Sequence, residues 1–183
     1  TGRSPEHSAM CFTTGLIHKL DKRELEGVIA HELSHIQNYD ILLMSVVSIM
    51  VGTITLVADF LSRGVLYGRR RRSSSSSGPL AIVGLVLIIL SPIIATLIKL
   101  AISRKREFLA DASAVMKTRY PKGLADALAK IATDTEPLEA ANGATAHLYI
   151  SNPLKNDKHP SIFFFFFNTH PPVDDRIKRL MEM

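Results

Sequence analysis

Two near-continuous apolar runs constrain this chain more than any other feature of it. Ile41 to Leu61 carries one charge, Asp59, near its end, and Leu80 to Ile102 carries one, Lys99, near its own end. At about 1.5 Å of rise per residue, each is long enough to cross the roughly 30 Å hydrocarbon core of a bilayer as a helix. Neither has a polar face, which argues against a pair of buried helices in a soluble core. Lys99 can snorkel from its position, and a membrane helix tolerates the kink that Pro92 imposes. Transmembrane helices are therefore expected over 41–61 and 80–102. Between them, 63–79 reads as a solvated, flexible linker containing Arg69-Arg70-Arg71-Arg72 and then five serines, Ser73 to Ser77. No aromatic residues interleave with these arginines, so RNA is unsupported as a partner and lipid phosphate is expected instead.

Immediately before the first run stands His31-Glu32-Leu33-Ser34-His35. Histidines four apart on a helix share one face, which is how two nitrogen ligands meet a tetrahedral zinc. Glu32, beside the first ligand, is placed to act on water as the general base of a hydrolysis. A helix is expected here because Asp21 and Glu24 read as a capping box, with Leu20 and Leu25 at the positions of a hydrophobic staple. It should start at about Lys22 and carry both histidines in its third and fourth turns.

A catalytic zinc takes three protein ligands and keeps an open position. No third histidine follows at the short metzincin spacing, so the remaining ligand must come from elsewhere. Glu107 and Asp111 are the best candidates. They lie four apart on a helix expected to continue from the second apolar run to Lys117. One of these carboxylates can bind the metal while the other orients a ligand histidine; taken alone, the pair would be an ordinary solvated helix face. Topology favours the former. If both runs cross a bilayer, His35, just before the first, and Glu107, just after the second, fall on the same side.

The remaining segments complete a mainly α fold with a small β-sheet, in a single domain over 1–183. Ala9 to Ile17 is β-branched and apolar enough for a strand. That strand either pairs with an extended substrate along Cys11, Phe12, Thr13 and Thr14 or is a plain core strand. Cys11 is the only cysteine, so an internal disulfide and a cysteine-based zinc site are both excluded. It reads as a half-buried thiol rather than a nucleophile. Pro121 suits the first turn of a helix reaching about Ala132, with Leu124, Leu128 and Ile131 on one face. Glu136 to Ala146 reads as a loop, Leu148-Tyr149-Ile150 as a short strand, and Ser151 to Ser161 as polar and turn-rich. The five phenylalanines Phe163 to Phe167 form either a buried strand or a membrane-surface wedge, with burial the default. Pro171-Pro172 opens a final amphipathic helix with Val173, Ile177 and Leu180 on one side. The formal net charge is +5, but the charges gather at the edges of the apolar runs rather than spreading as on a nucleic-acid binder, and no nucleic-acid partner is expected.

Taken in order, these motifs match a family. His31 to Asp40, then Glu107-x-x-x-Asp111, then Thr169-His170-Pro171-Pro172 with Arg176 after it, resemble the HtpX family of membrane-bound zinc endopeptidases. The superfamily also contains the C-a-a-X prenyl-protein protease. The resemblance runs over nearly the whole chain. It includes Thr1-Gly2-Arg3-Ser4-Pro5, which looks like the segment that follows the family's first two membrane helices, so the chain is expected to be the family's core without its N-terminal hairpin. The resemblance implies a zincin-like fold of gluzincin type, interrupted by a hydrophobic two-helix hairpin. It implies one zinc per chain held by His31, His35 and Glu107, with Glu32 as the base. Asp111 would orient a histidine ligand, and His170 would stand near the substrate carbonyl and stabilise an oxyanion. Arg176 would either pair with Asp111 or close the cleft, and Asn38 and Asp40 would brace the end of the metal helix. Two features depart from the family pattern, the phenylalanine run and the arginine–serine linker.

The implied activity is cleavage of misfolded or damaged membrane proteins, by a multi-pass protein of the plasma membrane whose active site faces the cytoplasm. A prenyl-protein protease is a rival, although the chain is short for that enzyme's many-helix chamber. A non-catalytic membrane adaptor is another, against which the intact Glu32 counts. Orientation is contested. Arg63 and Arg69 to Arg72 favour a cytoplasmic linker, whereas Lys22, Arg23 and Arg104 to Arg106 favour the side of the site.

Overall fold

The computed structural model describes residues 2, 4–68, 79–133 and 171–183 of the protein. After a single 3-10 turn, Pro5–His7, the described residues form six α-helices: α1 (Thr14–Lys19), α2 (Lys22–Gln37), α3 (Asp40–Gly68), α4 (Pro79–Thr118), α5 (Pro121–Ala132) and α6 (Val173–Met181). Residues 1–42 and 103–183 make one compact unit, and residues 43–102 make a second.

The first unit is built on α2, and the reason α2 begins where it does is local. The Asp21 side chain accepts from the Glu24 N–H at 2.9 Å, while the Asp21 N–H donates to Glu24 Oε2 at 2.8 Å. This capping box satisfies two of the donors that a helix start leaves without a partner. Lys130 of α5 pairs with the same glutamate at 2.7 Å. Leu20 is buried and Leu25 packs against the core, as a staple requires. α5 packs against both α2 and α6. Leu124 and Leu128 of α5, Val28 of α2, Ala114 of α4 and Leu180 of α6 are almost fully buried. Each of the two leucines contributes roughly 2 kcal/mol by leaving water. The approach of α2 to α5 is close enough to require glycine. A Cβ on Gly27 would stand 2.8 Å from the backbone nitrogen of Leu124.

The expected strand over Ala9 to Ile17 does not form. Thr13 is instead the N-cap of α1, its hydroxyl accepting from the Leu16 N–H at 3.2 Å. Leu16 and Leu20 then lie one turn apart, and both turn to the core. Among the described residues the only β-type pairing is an isolated bridge between Gly2 and Ser8, so the expected small β-sheet is not seen in them. Cys11 is exposed rather than half-buried. The strand candidate Leu148–Ile150, the five phenylalanines and His170 lie outside the described residues.

Among the described residues, the second unit consists of α3 and α4 residues only. Both helices are long and apolar enough to cross a membrane. Of its described side chains, only Ala58, Ala95 and Leu100 are buried. Phe60, Leu56 and Ile49 are 77%, 73% and 69% exposed. α3 extends to Gly68, so the first residues of the expected linker are helical. Pro92 lies inside α4, and its ring removes the N–H that would have bonded the Ile88 carbonyl. The Ser91 hydroxyl donates to that same carbonyl at 3.0 Å. The hydroxyl thus gives the carbonyl a donor in place of the missing N–H, as serine side chains do where membrane helices contain proline.

Candidate metal centre

Each histidine of the motif is held by a carboxylate on one ring nitrogen and offers the other to a common point. His31 Nδ1 lies 2.9 Å from Asp111 Oδ1, and His35 Nδ1 lies 2.6 Å from Asp40 Oδ2. A carboxylate that accepts from Nδ1–H keeps the proton on that nitrogen, which leaves the Nε2 lone pair free. The two Nε2 atoms face each other at 3.0 Å, with the rings nearly perpendicular. Glu107 of α4 completes the group, with Oε1 3.5 Å from His35 Nε2 and Oε2 3.7 Å from His31 Nε2. His31, His35 and Glu107 present one ligand atom each within 4.8 Å of one another. Two lone pairs and a carboxylate oxygen at such distances repel one another unless a cation lies among them.

The charges around this point agree. Glu32, Asp40, Glu107 and Asp111 are four carboxylates, facing two guanidinium groups, those of Arg106 and Arg176. With neutral histidines the cluster is two negative charges out of balance, which one divalent cation cancels. Three of the four carboxylates, Asp40, Glu107 and Asp111, are buried, which makes the imbalance costly. Nitrogen and carboxylate donors with no thiolate fit zinc, and His31, His35 and Glu107 are the residues that would hold it.

Arg176, only 1% exposed, supports the set from α6. Its Nε and Nη2 donate to the two oxygens of Asp111 at 2.9 and 2.7 Å, a bidentate fork. Its Nη1 lies 3.3 Å from Glu107 Oε2. Of the two expected roles for this arginine, pairing with Asp111 is the one the geometry has. A single guanidinium thus contacts both the carboxylate beside His31 Nδ1 and the carboxylate of the candidate ligand set. Glu32 is half-buried, and its charge acts on both His35 and Arg176. Burial works against a charged His35. The Asp40 hydrogen bond and the charges of Glu107, Glu32 and Asp40 outweigh burial and hold its pKa above the ordinary value.

Asp40 does more than brace a helix end, since it is the partner of His35. Asn38 is the C-cap of α2. Tyr39, at φ 55, then turns the chain through the left-handed region so that Asp40 comes back onto His35. Arg106, which the sequence marked only as a charge bearing on membrane orientation, pairs with Asp40 and also donates to the Asn38 carbonyl at 3.1 Å. Its only sequence signal as part of the site is its place beside Glu107. Of the proposed substrate segment, Cys11, Thr13 and Thr14 are exposed, whereas Phe12 is half-buried and packs against the core.

The profile of peptidase family M48 matches residues 1–183. A protein named protease HtpX homolog from Dictyoglomus thermophilum is 51% identical over the whole chain. Proteins of the same name from Caldanaerobacter subterraneus subsp. tengcongensis and Tropheryma whipplei are 46% and 45% identical, again over the whole chain. The chain spans 58%, 61% and 61% of the length of these three relatives. No solved structure matches it. The converging histidines, the carboxylate one helix away and the match over every residue lead to one assignment: the chain belongs to peptidase family M48.

Proposed function

We propose that this chain carries the catalytic centre of a zinc-dependent endopeptidase of a membrane, acting on polypeptides and, among them, on misfolded or damaged membrane proteins. The observation that carries the reading is the meeting of His31 Nε2, His35 Nε2 and Glu107 at one point. The relatives' printed name, protease HtpX homolog, supports the activity. The two exposed apolar helices support the membrane setting, and Lys22, Arg23 and Arg104 to Arg106 favour a cytoplasmic site.

Zinc bound by His31, His35 and Glu107 would supply Lewis-acid activation of water and of the scissile carbonyl. The protein's own groups do the rest. Glu32 takes the proton of the attacking water and returns it to the leaving amine. Asp111 and Asp40 keep the protons of His31 and His35 on Nδ1, so that both Nε2 atoms remain donors to metal. Arg176 fixes Asp111 and Glu107 in place. His170 is proposed to steady the carbonyl oxygen as charge develops on it. The exposed stretch around Cys11, Thr13 and Thr14 is proposed to meet the substrate backbone. A structural metal site has no use for a base, so Glu32 next to His31 favours catalysis over an adaptor role.

The test is elemental analysis of the purified full chain in detergent, beside casein cleavage with and without chelator. Roughly one zinc per chain and cleavage that stops with chelator and returns with added zinc are expected. A metal-free preparation that still cleaves casein would overturn the reading.

A further inference from the structure

Arg106 has so far been given contacts but no role, and it sits where the centre is least secured by helix geometry. His31 and Glu107 are both steadied by Arg176, and Asp111 is locked in a bidentate fork. His35 depends on Asp40 alone, and Asp40 belongs to a different helix, just beyond a turn held in the left-handed region by Tyr39. A non-glycine residue in that region is strained by order of 1 kcal/mol or more, so the turn needs outside support. Arg106 supplies it. One guanidinium nitrogen, Nη2, serves both the Asp40 carboxylate and the Asn38 carbonyl at 3.1 Å, the two groups flanking Tyr39. Arg106 Nη2 meets Asp40 Oδ1 while His35 Nδ1 meets Oδ2, so the carboxylate is spanned between arginine and imidazole. Arg106 is also adjacent in sequence to Glu107, so one stretch of α4 places a metal ligand and the support of another ligand's partner.

We propose that Arg106 is a positioning residue of the metal centre, acting through Asp40 to orient His35 and through the Asn38 carbonyl to hold the α2–α3 turn. The proposal deepens the zinc-peptidase reading and depends on it. Asp40 without Arg106 would be a buried carboxylate free to rotate, and His35 would no longer be held to one tautomer and one ring angle. Arg106 touches neither metal nor substrate, so its loss acts on metal affinity and ligand geometry before it acts on chemistry.

The experiment uses the full chain in detergent. Zinc affinity is measured by chelator competition, ligand geometry by the visible spectrum of the cobalt-substituted protein, and fold by circular dichroism. Arg106→Ala should bind zinc about 10- to 100-fold more weakly and shift the cobalt bands, with its helix content unchanged. Arg106→Lys, which keeps a donor at that position, should recover part of the affinity. Lys105→Ala, an exposed neighbour, should match the parent protein. In an Asp40→Ala background, Arg106→Ala should cost less than about threefold more, because the two act in series. Parental affinity and spectrum in Arg106→Ala would overturn the proposal. So would losses in the double variant that simply multiply. If Arg106→Ala fails to fold, Arg106→Lys and Arg106→Gln decide by the same spectrum, and unshifted bands with lowered thermal stability mean a structural role only. A parent chain that binds no zinc fails the underlying reading instead, and is recognised before any variant is made.

Discussion

Glu107 and Asp111, one turn apart on α4, put the same chemistry to two uses. Glu107 turns its oxygens to the Nε2 side of both histidines, and Asp111 turns its oxygens to Nδ1 of His31 and to Arg176. Their removal should therefore differ in kind. Glu107→Ala should strip most of the zinc and all of the activity. Asp111→Ala should weaken affinity about 10- to 100-fold and keep its metal when zinc is plentiful. Metal content of the two variants at matched free zinc checks this, and the reverse pattern would exchange the two assignments. Both carboxylates and both histidines were legible in the sequence, because a helix puts residues four apart on one face whatever surrounds it. The Asp40–His35 contact was not, since it depends on the positive φ of Tyr39. Nor was Arg106, whose partners lie 66 and 68 positions away and are neighbours only once α4 is in place.

The helices carrying these residues were legible to the extent that their ends are encoded locally. α2 starts at its capping box, and α5 and α6 start at prolines. α1 was misread for a specific reason. Thr13 and Thr14 suggest a strand by β-branching, but Thr13 serves as a cap and the helical spacing of Leu16 and Leu20 turns both to the core. How helices meet is less visible in sequence than where they start. Nothing around Gly27 announces that α5 passes within reach of its missing Cβ. Gly27→Ala gains up to about 1 kcal/mol of helix propensity, but it forces the new methyl against the Leu124 backbone, which cannot swing aside as a flexible side chain would. Overpacking of this sort costs about 1–3 kcal/mol, so the variant should be less stable than the parent in chemical denaturation. A stabilised variant would mean that α2 and α5 are not so closely packed.

At the scale of the whole molecule, the chain combines a packed unit holding the candidate centre with a second unit whose apolar side chains mostly face outward. Soluble proteins rarely leave contiguous apolar surface of more than a few hundred Å² uncovered. The protein should therefore require detergent or lipid to stay dispersed, and a monodisperse detergent-free monomer in sedimentation would contradict the membrane setting. The central claim is that Glu32 works on water while His31, His35 and Glu107 work on metal. The most direct measurement is zinc content and peptide hydrolysis of Glu32→Gln and the parent protein, prepared side by side. The account predicts roughly equal zinc in both and hydrolysis in the parent alone. Parental turnover by Glu32→Gln, or loss of its zinc, would contradict it.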